Sequence, residues 1–289
     1  MRISNLSRCL HLTAIAVLLC LAQTAGAAPI TLLNATTKVI VSGGEADNGL
    51  VPEEGYFSYT DLGAAEVTTW SIDPVLRFSD GSTAVLSNGS TGGFGSPSVF
   101  APGVIRSTAS VAGGGNTIAV TADTELVGSN ARTTFSFSST GDMAGTTFLF
   151  YAENDLFDFA DDTAAFTGSI GGGNLALFQY DTATGGLTVR MTGEGVSNAA
   201  LALFGAGIWT GWGTALEGGD FSVLSADGSN FETGSGDLGL ALAFNLSGTE
   251  ASLIVNYDTQ PLPPGVPAPG TIALLAVGLL GLAARRRRA

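Results

Sequence analysis

The sequence predicts an all-β fold: a single β-sandwich-like passenger domain over residues 28–260, flanked by an N-terminal signal peptide and a short C-terminal transmembrane helix. Three observations carry this reading. Short runs rich in Val, Ile, Thr and Phe recur between clusters of Gly, Asn, Asp and Ser, the pattern of strands and turns. Several runs alternate large apolar with small or polar residues at period two, so each has an apolar face that a second layer must cover. Only 12% of residues are charged and 41 are glycine, whereas long helical patterns with capping signals are scarce.

At the N-terminus, Arg2 and Arg8 precede an apolar stretch at 10–21, and Ala25-Gly26-Ala27 supplies small residues around a cleavage point. This is the pattern of a secretory signal peptide, handed to the Sec export machinery. The cut is expected after Ala27; a cut after Ala28 would leave Pro29 just past the bond. The apolar stretch falls short of the roughly 20 residues of an ordinary spanning helix, which disfavours the alternative of a retained anchor.

The passenger's expected strands lie at 30–41, 56–60, 66–72, 104–111, 117–126, 132–138, 146–152, 164–170, 175–180, 187–192, 221–225, 238–246 and 251–257. Phe135 and Phe137 share one face opposite Thr134, Ser136 and Ser138, and Phe148 and Phe150 alternate with Thr147 and Leu149. Leu238, Leu240, Leu242, Phe244 and Leu246 all fall on one face opposite Gly239, Ala241, Ala243 and Asn245. Each large group contributes roughly 1.5–3 kcal/mol when buried. Residues 198–204 break the pattern and predict a short helix capped by Asn198, leading into a glycine loop that presents Trp209 and Trp212. No repeat of fixed period appears, which argues against solenoids and propellers. Strand connectivity is not readable.

Residues 261–265 form a Pro-rich spacer. Then come Val266, Pro267, Ala268 and Pro269, thirteen apolar or small residues at 272–284, and Arg285, Arg286, Arg287 and Arg288. The prolines disfavour helix before them. Thirteen residues make a helix of roughly 20 Å against a hydrocarbon core of roughly 30 Å. Such a segment spans only by thinning the bilayer or by snorkelling, which suits a temporary membrane stop better than the alternative of a permanent tail anchor. The arginines place the C-terminus on the cytoplasmic side and the passenger outside.

This order of elements over 266–289 resembles the PEP-CTERM sorting signal of Gram-negative bacteria, with Pro267-Ala268-Pro269 at the Pro-Glu-Pro motif and Ala268 replacing its glutamate. The resemblance implies export, transient inner-membrane anchoring, processing by an exosortase near the motif, and delivery to the cell surface or extracellular polysaccharide matrix. It places the catalytic residues of processing in the exosortase. The span 132–257 also looks similar to passengers found ahead of such signals, at 132–137, 148–156, 161–164 and 236–244, and implies no activity.

Composition removes whole classes of chemistry. Cys9, Cys20 and His11 all precede Ala27, so the cleaved passenger has no disulfide, no Ser-His-Asp triad, no thiolate or imidazole zinc site and no His-ligated haem. It keeps five basic against 25 acidic residues, a charge of −20. That charge repels nucleic acid and favours solubility and mutual repulsion in a matrix.

Glu153, Asn154, Asp155, Asp158, Asp161 and Asp162 crowd into ten residues. Their oxygens suit Ca²⁺, which takes 6–8 oxygen ligands, although the spacing is not that of an EF-hand; the alternative is a solvated acidic loop. Paired carboxylates would serve a glycosidase, but no spacing singles out a pair. Trp70, Trp209 and Trp212 would stack on sugar rings or pack in the core. The leading expectation is a non-enzymatic secreted envelope or matrix protein with a structural or adhesive role. The alternative is a polysaccharide-binding module assisted by Ca²⁺, and a glycosidase stands third.

Overall fold

The computed structural model describes residues 29–42, 56–63, 66–67, 71–87, 93–154, 156, 162–181, 188–233 and 236–260, and the structural statements below concern these. The signal peptide, the spacer and the sorting segment lie outside them. Within them the alternating sequence folds as antiparallel strands: β1 (Ile30–Leu33), β2 (Thr37–Val41), β3 (Phe57–Asp61), β4 (Glu66–Val67), β5 (Ser71–Arg77), β6 (Thr83–Val85), β7 (Ser98–Ala101), β8 (Val104–Gly113), β9 (Asn116–Val127) and β10 (Asn130–Ser139). The series continues with β11 (Thr147–Asn154), β12 (Asp162–Thr167), β13 (Ala176–Asp181), β14 (Thr188–Ser197), β15 (Ala199–Ile208), β16 (Leu238–Leu246) and β17 (Glu250–Gln260), with one helix, α1 (Trp209–Glu217), between the last strands.

The strands form three sheets. One has the order β1-β2-β3-β4, the largest β12-β13-β14-β17-β10-β9-β8-β7, and the third β15-β16-β11-β5-β6. In the largest, β7 to β10 and β12 to β14 are each runs of sequential neighbours, and β17 joins them. β16 sits between β15 and β11 in the five-stranded sheet. The last two strands therefore take interior positions in both large sheets.

These two sheets lie face to face, as the alternation predicts. Phe135 and Phe137 of β10 meet Phe148 of β11 at ring-centroid distances of 4.7 and 5.1 Å, and Phe135 lies 5.8 Å from Phe150. The large residues of β16 enter the same core, with Leu238, Leu240, Leu242 and Phe244 fully buried. The small sheet adds a third wall. Phe57 lies 6.3 Å from Phe150, and Tyr59 5.2 Å from Tyr257.

The other face of the five-stranded sheet is also covered. Leu149, Tyr151, Ala241 and Ala243 form a second core with Trp212 and Leu216 of α1, Phe221 and Leu224. β11 is thus buried on both faces. The small residues of β16 lie on this side because the indole of Trp212 presses on the sheet: a Cβ added to Gly239 would lie 2.9 Å from its ring, and one added to Gly207 2.5 Å.

The structure corrects several sequence expectations. Residues 198–204 are not a helix. Asn198 turns the chain with φ 49, and the residues that follow form β15 against β16. Pairing with an apolar partner strand overrides the local helix preference of the Ala-Leu run. The helix starts instead at Trp209, over residues expected to form a glycine loop, because Trp212 and Leu216 bury against the sheet. The expected strand at 221–225 is a 3-10 turn, Phe221–Val223, capped by the Asp220 side chain.

The run 30–41 is a hairpin rather than one strand. Asn34 Oδ1 accepts from the backbone N–H groups of Thr36 and Thr37 at 2.8 and 2.9 Å, an Asx turn that reverses the chain. β6 and β7 were not anticipated, and 66–72 divides between β4 and β5.

Two substitutions test this packing by urea or thermal unfolding. Phe148→Ala should cost about 3–5 kcal/mol, since it removes a ring shared by both large sheets. Gly207→Ala should cost about 1–3 kcal/mol by driving a methyl into Trp212.

Candidate functional site

Where β11 leaves the five-stranded sheet and β12 enters the largest one, polar groups are buried together. Asn154 ends β11 and Asp162 opens β12; both are fully buried, as is Gln179 of β13. Asn154 Nδ2 donates to Gln179 Oε1 at 2.8 Å. Gln179 Nε2 donates to the Asn154 carbonyl at 3.0 Å and to Asp162 Oδ2 at 2.7 Å. The Tyr257 hydroxyl donates to Asn154 Oδ1 at 2.6 Å. One carboxamide therefore ties the two large sheets together through a polar network, an arrangement that burial makes strong only when its members are satisfied.

This geometry bears on the six expected oxygen ligands. Asn154 and Asp162 come together through Gln179. Glu153 is buried too, but strand alternation sets it on the opposite face, with Tyr151. Asp155, Asp158 and Asp161 lie outside the described residues. Among the described residues no three His, Cys, Asp or Glu side chains gather as a metal site.

A second polar cluster lies on the α1 side of β11. The Tyr151 hydroxyl donates to Glu217 Oε1 at 2.7 Å, and Ser87 donates to Asp73, which is buried. Burial first, then the charge of Asp73 and the bond to Glu217, push the Tyr151 hydroxyl far above the ordinary phenol range. Asp73 and Glu217 are two carboxylates gathered about one phenol, which keeps its proton between them.

Trp212 is 8% exposed and belongs to the core described above, not to an open aromatic face. Trp209 is the first residue of α1. Trp70 lies outside the described residues, as do Ala25, Ala27, Ala28, the 266–269 motif and the arginine tail.

Gln179, Tyr257, Asp73 and Glu217 were missed in the sequence. A signal existed for two of them, since Asp73 and Gln179 are single polar residues inside otherwise apolar strand runs.

The basic residues of the outer sheet face are paired. Arg106 holds Asp123 with two bonds of 2.6 Å, and Arg132 lies 3.6 Å from Glu125. Arg190 stands 3.5 Å from Asp258 Oδ2, while Asp258 Oδ1 is buried with no hydrogen-bonding partner among the described residues. Burial raises the Asp258 carboxyl above its ordinary range, with Arg190 opposing the shift. A carboxyl raised in this way costs stability when ionised. The cost is absent below the unfolded value of about 3.9 and complete above the folded one.

Asp258→Asn should therefore raise the melting temperature at pH 7, and the gain should vanish as pH falls below about 4; loss of the weak surface pair offsets little. Gln179→Leu strands Asn154 and Asp162 together and should cost roughly 3 kcal/mol in chemical denaturation.

Solved structures to which the chain is similar include a galactose mutarotase-like protein from Lactobacillus casei ATCC 334. It shares 8% identity at a TM-score of 0.45, with 80% of this chain and 100% of that chain covered. A putative aldose 1-epimerase from Escherichia coli K12 shares 9% identity at a TM-score of 0.45, covering 81% and 99%. A putative kojibiose phosphorylase from human microbiome shares 10% identity at a TM-score of 0.45; 88% of this chain matches 33% of that one, so the chain spans about a third of that protein. At these values no activity transfers. No curated protein matches the chain. Residues 265–288 match the family model of the PEP-CTERM protein-sorting motif, so the chain carries a PEP-CTERM sorting motif, which implies export and sorting by an exosortase.

Proposed function

We propose that the passenger is a non-enzymatic component of the cell surface or extracellular matrix, with a structural or adhesive role. The observation that carries the reading is the sorting motif at 265–288 behind a strand-built body. Two further features support it. The two carboxylates gathered on the α1 side of β11, Asp73 and Glu217, surround a tyrosine hydroxyl that holds its proton. Trp212, expected as a sugar-stacking ring, is packed into the core. The motif makes the exosortase a processing partner and puts a membrane-anchored stage before surface delivery.

Intact mass of the protein from cells and from medium tests the sorting. The released form should lack the apolar segment and arginine tail, and cells without exosortase should keep the uncut chain at the inner membrane. Pro267→Ala with Pro269→Ala should have the same effect, and Ala268→Glu should speed processing. Hydrolysis of a polysaccharide panel that disappears in Asp73→Asn or Glu217→Gln would overturn the non-enzymatic reading.

A further inference from the structure

We infer that the end of the body from which the C-terminal segment departs is a docking surface for the outer leaflet of the inner membrane. The inference rests on the sorting reading, since it needs a chain tethered to that membrane. Three turns and two strand ends converge here. β17 ends at Gln260, and Thr259 donates to Asp61 at 2.6 Å. The next residue, Leu62, donates its N–H to the Thr36 carbonyl, and Asn34 Nδ2 donates to the Gly128 carbonyl in the β9–β10 turn. The β1–β2, β3 and β9–β10 tips are thus stitched together beside the chain exit, and pairing of Val104 with Glu125 places the β7–β8 turn at the same end.

These tips carry large apolar side chains in solvent: Leu33 is 66% exposed, Leu62 39%, Val127 52% and Phe100 57%. Large apolar side chains left exposed together at one end of the body mark an interaction site. Phe100 is covered on one face by the Arg106 guanidinium, 3.2 Å from its centroid, and Arg106 is itself held by Asp123. Glu125 pairs with Arg132. The ion pairs near the tips neutralise two of the acidic groups that would repel an anionic leaflet.

The tether fixes the occupant. Residues 261–271 separate Gln260 from the apolar segment, and eleven residues span at most about 40 Å. The apolar tips surround the tether's origin, so they are the part of the body nearest the bilayer. Aliphatic and aromatic tips beside an Arg suit the headgroup boundary, where apolar groups bury shallowly and charged ones stay wet.

The test uses the chain from Ala28 to Ala289, which has no cysteine of its own, carrying an environment-sensitive fluorophore at Val127→Cys or at Thr249→Cys. Thr249 is exposed in the turn before β17, at the opposite end. The chain is reconstituted in phosphatidylethanolamine–phosphatidylglycerol vesicles containing nitroxide lipid. Quenching is expected at position 127 and not at 249, and Leu33→Ser with Leu62→Ser should abolish it. Both substitutions are at exposed positions and leave the core intact. Equal absence of quenching at both positions, with the chain still floating with the vesicles, overturns the docking while leaving the sorting reading in place. Failure to float overturns both. Protection of position 127 from aqueous quencher without nitroxide quenching, accompanied by a doubled mass in detergent, assigns the tips to a second copy and overturns the proposal.

Discussion

The contact of Phe135 and Phe137 with Phe148 and Phe150 holds the molecule together. It joins the centre of the eight-stranded sheet to the centre of the five-stranded one, and the rest of the body is arranged around it. Edge-to-face and tilted ring pairs add to the area they bury, so these four residues contribute more than their number suggests. Because β11 carries Phe148 and Phe150 on one face and Leu149 and Tyr151 on the other, it must be covered twice. That requirement explains α1: without it, Leu149 and Ala243 would face water.

The interior of this fold was legible where a period of two met large side chains. The runs holding Phe135, Phe148 and Leu240 have one reading, and their strands form with the expected faces. The sequence was least informative where a local preference opposed tertiary pairing. Residues 199–204 look helical in isolation and become a strand because β16 offers an apolar partner. Gly211 and Gly213 argue against a helix, yet α1 forms because Trp212 and Leu216 find a sheet to cover. The polar clusters were hidden for a different reason. Asn154, Gln179 and Tyr257 are up to 103 residues apart, and no local spacing announces that a carboxamide will bridge them. Asn154 and Asp162 were singled out for a metal because sequence shows their proximity along the chain but not the partners across it.

The distribution of charge agrees with a life outside the cell. Glycine turns, few cations and a large acidic excess give a body that remains soluble at high local density. Arg106, Arg132 and Arg190 each lie against a carboxylate on the outer face of the largest sheet.

The interior placement of β17 has a consequence for assembly. The meander β7–β10 and the meander β12–β14 can each form from neighbours in the chain, but they have no common seam until the final strand slides between them. A polypeptide emerging amino-end first would therefore wait, half-built and with Tyr257's slot vacant, until nearly its last body residue had appeared. Closure of the largest sheet is then timed by the last described strand, so the keystone enters only when nearly the whole body is present.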